Sequence, residues 1–342
     1  MTPTAAKTGK RSWLGILLRL ALGLGLAIWA VWQLDWAALV DSFRQIHLNW
    51  VLLTIVLFLF GLSLKLVRWR WLLADLAPNV SWLVLARALV LGQAVNIIGL
   101  GRFGDVARVI SLRQEARISG VGVATSVVAE KLLDLAFLGI AGGWWVLLLL
   151  KPPSEINVTQ ILVTGAASVL AVGLFAWFGQ SVLRWLQTRL ERWDTRAGRW
   201  LAPRTAAMAI GLKGLTHHSH LGRSLLISLV IWGVMLLTNL VLLLAFDLPF
   251  SGRLALSVLV LGMLGMAANL TPANIGPEHW AIMFALTTFG VLPSIALAYA
   301  LVLHAIVTVL PLLLALALNG WHWAQLQALA YRTAPLEAIP ES

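Results

Sequence analysis

The sequence predicts an all-α polytopic membrane bundle of about six spanning helices and two re-entrant or broken helical hairpins. Three observations carry that expectation. Of 342 residues, 60% are hydrophobic and 11% are charged, where soluble chains hold about 45–50% and about 25%. The apolar residues come in blocks long enough to cross about 30 Å of hydrocarbon. The basic residues, which give a net charge of +11, sit mostly beside those blocks, as membrane orientation requires. A secreted disulfide scaffold, a nucleotide-binding α/β enzyme and a DNA-binding domain are thereby excluded, and no nucleic-acid partner is expected. With no Cys the chain has no disulfide, thiol nucleophile or Cys-ligated metal.

Clear spans read Leu14–Gln33, Leu48–Leu64, Leu132–Leu150, Gln160–Phe178, Leu225–Ala245 and Ile295–Leu318. Two further apolar stretches, Trp82–Gly101 and Leu254–Leu292, are broken by Gly, Asn or Pro and carry polar side chains. Lys7, Lys10 and Arg11 precede a first apolar core too long for a signal peptide, so a retained anchor is expected. The reading is one integral membrane domain over residues 1–342. Its first half runs about 48–150 and its second about 225–318, linked by the span 160–178 and a basic segment 180–223.

Charge sets the expected topology. Twenty of the 25 Lys and Arg residues fall in segments assigned to the cytoplasm, including Lys65, Arg68 and Arg70 and the group Arg102, Arg108, Arg113 and Arg117. The segment Trp82–Gly101 is flanked by basic residues at both ends, so it should enter the membrane and return on the same side. Both termini are then cytoplasmic. Within Gln180–Trp200, Val182, Leu183, Leu186, Leu190, Trp193 and Trp200 share one helical face and Arg184, Arg189, Arg192, Arg196 and Arg199 lie largely on the other. That pattern suits an amphipathic helix at the cytoplasmic interface, held by Trp and anionic headgroups.

The two irregular stretches resemble each other. Gly92, Asn96 and Asp105 in one match Gly265, Asn269 and Glu278 in the other, in register. A charged or titratable residue follows each at similar distance, Glu130 and His304. The flanking spans also match, and by charge the two units start on opposite sides. Inverted repeats of this kind place a transport site at their interface, with broken helices pointing into it. Gly99, Gly101, Gly104, Pro272, Gly276 and Pro277 are the breakers. Asn96, Asn269 and Asn274 can satisfy freed backbone groups, which inside a membrane must be buried in protein or face water. A helix starting at such a break suits an anionic group such as phosphate.

Glu130 and Asp134 share a helix face beside Lys131. A charge at mid-bilayer costs at least about 2.5–3.5 kcal/mol, so these groups should pair. Arg102, Arg108 and Arg87 are the candidate partners. One reading is an ion-pair lock; the other adds that a partly unpaired Arg holds a lipid phosphate. His304, inside a span, reads as a helix–helix hydrogen bond or a proton relay. His217, His218 and His220 read as solvated loop. No Walker motif, zinc-protease motif or nucleophile elbow occurs, so no catalytic residue, metal ligand or cofactor is expected. Trp29, Trp32, Trp36, Trp69, Trp71, Trp321 and Trp323 read as the interfacial belt.

The run Arg68-Trp-Arg-Trp-Leu-Leu, Asn96, Arg102-Phe-Gly-Asp105-Val-Ala-Arg108, Ser126-Val-Val-Ala-Glu130-Lys-Leu-Leu-Asp134 and Thr271-Pro-Ala-Asn-Ile-Gly276-Pro-Glu278 resembles the lysylphosphatidylglycerol synthase transmembrane-region family of flippase-like membrane proteins. The likeness runs from about the second span to the last. It implies a bacterial inner-membrane protein that moves or presents a lipid. In its best-known branch this region flips aminoacylated phosphatidylglycerol and is joined to a soluble aminoacyl-transferase domain; nothing after Leu318 is long enough for such a domain, so that activity is not expected here. Against the family pattern, Lys131 replaces an Arg, the break reads Pro272-Ala-Asn-Ile-Gly276, and His304 stands where an Arg is often found.

The leading expectation is a lipid flippase in which a polar, anionic headgroup crosses a cleft between the two hairpins. Arg102, Arg108, Lys131, Asn96, Asn269 and Asn274 would hold the headgroup. Asp105, Glu130, Asp134, Glu278 and His304 would supply ion pairs or proton coupling. The partners expected are membrane lipids, either an anionic phospholipid, a glycolipid or a polyprenyl-linked lipid. The competing classes are a membrane-embedded lipid-modifying transferase and a non-transporting partner of a separate lipid- or polysaccharide-synthesis enzyme. The outer loop Lys151–Val158 is short for a donor-binding site.

Overall fold

The computed structural model describes residues 35–74, 76–99, 103–150, 221–268 and 271–320, with scattered positions between 159 and 190. The expected spans Leu14–Gln33 and Gln160–Phe178, most of the amphipathic segment, and the site candidates Arg102 and Asn269 lie outside the described residues. The described chain is helical: α1 Trp36–Arg44, α2 Leu48–Leu72, α3 Trp82–Ile98, α4 Gly104–Ala116, α5 Gly120–Leu150, α6 Leu221–Leu244, α7 Gly252–Ala268, a 3-10 turn at Pro272–Asn274, α8 Pro277–Thr287 and α9 Pro293–Asn319. Four of these, α2, α5, α6 and α9, are long and apolar enough to cross a membrane.

The other limbs are too short to cross and return as hairpins. At 1.5 Å per residue, the 17 residues of α3 and α7 reach about 25 Å, and the 13 of α4 and 11 of α8 only about 16–20 Å. In the first hairpin Gly92 and Asn96 of α3 lie against Gly104 at the start of α4, so the limbs run antiparallel. In the second, Gly265 lies against Pro277, Gly262 against Ile282, and Arg253 over the Phe289 ring. The first hairpin is larger than the sequence reading made it. Trp82–Ile98 is one unbroken limb, the chain turns between Ile98 and Gly104, and the return limb is α4. Arg108 and Arg113 are therefore residues of the return helix.

A shift of 173 positions superposes the halves. Leu48 and Leu221 open α2 and α6, Gly104 and Pro277 open α4 and α8, and Gly120 and Pro293 open α5 and α9. Contacts repeat as well. A Cβ on Gly92 would meet the Gly104 carbonyl at 2.8 Å, and one on Gly265 the Pro277 carbonyl at 2.9 Å. Helices α2 and α6 cross antiparallel: His47 bonds Asp247, Gly61 meets Val234, and Arg68 reaches Ser228. Gly61 and Val234 are themselves equivalent positions, so a pseudo-two-fold axis passes between them. The bases of the hairpins, which follow α2 and α6 directly, therefore lie at opposite ends of the bundle.

Each hairpin has its own apolar core. Trp69, Leu85, Ala88, Leu112 and Val127 pack around the first; Leu243, Ala255, Ile282, Leu286 and Tyr299 pack around the second. Phe137, Trp232, Leu259 and Val260 fill the space between α5, α6 and α7. In lipid such packing must rest on close contact and hydrogen bonds, since the tails are as apolar as the side chains. Tyr299 Oη accordingly donates to Asn239, and Arg87 Nε donates to the Leu318 carbonyl, tying α3 to the end of α9.

Candidate functional site

The two breaks build the site. Gly104 opens α4 under the Gly92 carbonyl, and its N–H donates to Asn96 Oδ1 at 2.8 Å, so Asn96 satisfies one of the N-terminal donors that a helix start leaves free. The second break uses positive φ at Ala273, Asn274 and Gly276, closed by Thr271 Oγ1 donating to the Ile275 carbonyl at 2.6 Å. Each return limb carries an acid in its first turn, Asp105 or Glu278, where the positive end of the helix dipole favours it.

Each acid is met from the closing helix of its own half. Lys131 Nζ lies 3.3 Å from Asp105 Oδ1, and His304 Nδ1 lies 2.8 Å from Glu278 Oε2. Lys131 stands eleven residues into α5 and His304 eleven into α9, so both tips reach about 17 Å along helices that cross about 30 Å of hydrocarbon. Both tips therefore meet their closing helices well inside the bundle, and the turn Pro272–Asn274 packs on α3.

Between the hairpins lies a cavity of about 350 Å³. Its lining includes Lys65, Gln93, Asn96, Asp105, Arg108, Glu130, Lys131 and Asp134 from the first half. The second half contributes Thr238, Asn239, Asn274, Glu278 and Thr308, with Met235, Met263 and Met266 among the apolar walls. Exposure falls from mouth to floor: the Lys131 side chain is 47% exposed, that of Glu130 only 6%.

The floor is a network of two guanidiniums and two carboxylates. Arg108 donates to Glu130 with both ends of its fork, at 3.2 and 2.8 Å, and its plane lies 3.5 Å from the centre of the Trp69 ring. Trp69 is fixed in turn by donating Nε1–H to Ser126 Oγ at 3.0 Å. Arg68, wholly buried, donates to Asp134 Oδ1 at 2.7 Å and to Ser228 Oγ at 3.0 Å, and approaches Glu130 Oε1 at 3.6 Å. In low dielectric each charge needs such a partner, since one left alone costs several kcal/mol (of order 3–5).

Of the site residues expected from the sequence, Arg108, Lys131, Asn96, Asn274, Asp105, Glu130, Asp134 and Glu278 all line this cavity, and His304 holds Glu278 from behind. Of the described candidate partners for Glu130, Arg108 meets it; Arg102 lies outside the described residues. Arg87 instead bonds the end of α9.

Two residues expected in a cytoplasmic loop are corrected. Lys65 lines the cavity and Arg68 is part of its floor, because α2 runs to Leu72 instead of ending at Leu64. The sequence reading missed His279, buried with its ring 4.6 Å from that of His304, as well as Ser228 and Asn239. Only the adjacency of His279 to Glu278 hinted at it. Among the described residues no group of three His, Asp or Glu side chains is placed to hold a metal ion.

No curated protein matches this chain, and no solved structure does. The profile of one family, described as Lysylphosphatidylglycerol synthase TM region, matches residues 16–315. That match takes in the described helices α1 to α8, α9 as far as residue 315, and the whole of the cavity lining. The chain is a membrane-embedded member of the lysylphosphatidylglycerol synthase TM region family.

Proposed function

We propose that this protein is a flippase that carries a lipid with an anionic headgroup across the cytoplasmic membrane of a bacterium. The headgroup passes through the cavity between the hairpins while the tails stay in the bilayer. One observation carries the reading above the others: the halves share their hairpins and their tip pairs but not the charged floor. At the positions equivalent to Arg68, Arg108, Glu130 and Asp134 the second half has Val241, Ala281, Leu303 and Val307. Those apolar residues serve the same architecture, so the fold does not need charge there. Charged residues kept in a membrane against that cost belong to a substrate path more readily than to packing.

The positive-inside rule supports cytoplasmic termini, since the base of the first hairpin carries Arg113 and Arg117. The chain carries no Walker motif, so it encodes no ATP drive; Glu130, Asp134 and His304 are the groups through which protons would couple.

The test is transbilayer movement of fluorescent phosphatidylglycerol in proteoliposomes, read by dithionite bleaching of the outer leaflet. The purified protein should raise the rate well above that of empty vesicles. The double variant R108A/E130L, which installs the second half's residues, should fold and fail to transport. Equal rates for that variant and the unaltered protein, or no movement of any anionic phospholipid, glycolipid or polyprenyl phosphate, would overturn the reading.

A further inference from the structure

Around the cavity every carboxylate is matched by a cation. Glu130 takes Arg108, Asp134 takes Arg68, Asp105 takes Lys131 and Glu278 takes His304. Lys65 is left over. It sits three residues before Arg68, hence on the same face of α2, half-buried and lining the cavity. No carboxylate lies within 4 Å of it among the described residues. The two nearest acids of the floor, Glu130 and Asp134, already accept hydrogen bonds from guanidiniums.

Across the cavity, Asn274 holds its Oδ1 buried and without a hydrogen-bond partner among the described residues, in a turn with positive φ at Ala273 and Asn274. The equivalent of Lys65 in the second half is Thr238, which lines the same cavity from α6. The site thus offers one unmatched ammonium, one buried amide acceptor and one hydroxyl oxygen whose hydrogen is donated to the Val234 carbonyl.

We infer that Lys65 is the phosphate-binding residue of the cavity and that the lipid it receives carries a phosphodiester or phosphomonoester of net negative charge, with a hydroxyl or amine donor that reaches Asn274 Oδ1. The inference rests on the flippase reading only for the word lipid; the binding chemistry stands without transport. An ammonium on a flexible stem binds phosphate as a point charge, and it can do so here without first giving up a carboxylate. Arg108 and Arg68 already direct hydrogen bonds at Glu130 and Asp134, and the N–H groups they leave unbonded, Arg68 Nε and Nη2 and Arg108 Nε, are fully buried. A neutral glycolipid would leave the Lys65 charge unmatched, so it is selected against.

The experiment is equilibrium binding by native mass spectrometry of the full-length protein in detergent. Dioleoyl phosphatidylglycerol, a short-chain polyprenyl phosphate and monoglucosyl diacylglycerol are titrated separately, with inorganic phosphate as competitor. At least one phosphate lipid should bind at least tenfold more tightly than the glucolipid. K65Q should weaken that lipid at least tenfold and leave the glucolipid within twofold. K65R should keep affinity within about threefold, and both variants should keep the thermal melting profile of the unaltered protein.

Tight binding of the glucolipid, or unchanged phosphate-lipid binding in K65Q, would overturn the inference. So would displacement of the lipid by inorganic phosphate at equal concentration, which would assign the site to free phosphate. Should K65Q not fold, binding by the unaltered protein and by K65R decides: loss of preference for phosphate lipids in K65R, with folding intact, sinks the assignment. Failure of transport with phosphate-lipid binding intact would count against the flippase reading alone.

Discussion

Lys131 and His304 stand on equivalent turns of α5 and α9, 173 positions apart, and each reaches the acid that opens its own hairpin's return limb. One pair is a lysine with an aspartate, the other a histidine with a glutamate, yet the bridge from closing helix to hairpin tip is the same. A contact kept in both halves with different chemistry holds the tips in place. The floor, present in one half only, is what the fold could do without. The two kinds of charge in this membrane thus separate by symmetry, which pairwise distances alone would not have done.

That separation sets an order of stability. Replacing Glu130 with Gln leaves two buried guanidiniums facing one remaining carboxylate, which should cost about 3–5 kcal/mol. Lys131 is 47% exposed and its partner Asp105 27%, so K131Q strands a carboxylate less buried than the guanidiniums of the floor and should lose less stability than E130Q. Melting in detergent followed by tryptophan fluorescence checks both. Equal losses in the two variants would mean that the floor is no more buried than the mouth.

The double variant R108A/E130L should be more stable than E130Q alone. A buried ion pair replaced as a unit by apolar groups is often neutral, whereas breaking one side is costly. Here the second half supplies the apolar template, Ala281 with Leu303. The same melting experiment reads the result. A double variant less stable than E130Q would show that the network holds the first hairpin together.

Gly104 tests the first break. A Cβ there would lie inside van der Waals contact of the Gly92 carbonyl and 2.5 Å from the Asn96 amide carbon, and backbone cannot move aside as a flexible side chain can. Gly104→Ala should therefore spread the limbs, lengthen the Gly104 N–H to Asn96 bond, and destabilise by about 1–3 kcal/mol, the range of overpacked sites. Gly139→Ala, in open space on α5, is the control and should be stable to within about 1 kcal/mol. Hydrogen exchange at the α4 amides should quicken only in the first variant.

Much of this arrangement was legible in the sequence, and what was not has physical reasons. Gly92, Asn96 and Asp105 against Gly265, Asn269 and Glu278 marked the repeat because a break inside lipid needs small residues and amides at fixed places. Glu130 and Asp134 on one helix face announced a partner. Lys65 and Arg68 misled: counted by hydropathy they end a span at Leu64, and the positive-inside rule assigns them to a loop. That rule weighs charge along the chain, whereas Arg68 is buried because Asp134, 66 residues on, meets it across the bundle. The return limb α4 was assigned to the cytoplasm for the same cause, the four basic residues Arg102, Arg108, Arg113 and Arg117 reading as a cytoplasmic cluster. His279 had no visible partner, since its contact with His304 exists only once α8 packs on α9.

The inversion of the halves makes a prediction independent of any lipid. Because α2 and α6 run antiparallel, the ends of the first hairpin and those of the second must open on opposite faces of the membrane. The chain has no Cys, so single cysteines report cleanly. Ser81 and Ser119 flank the first hairpin, Phe250 and Leu292 flank the second, and all four are exposed. In inside-out vesicles and in intact spheroplasts, S81C and S119C should react with a membrane-impermeant maleimide only from the cytoplasmic face, F250C and L292C only from the other. Labelling of Ser81 and Ser119 positions from different faces would make the α3–α4 segment a crossing instead of a hairpin. The cavity between two tips would then have no basis. Labelling of all four from one face would keep the hairpins but remove the inversion, and with it the argument that the charged floor is asymmetric by function.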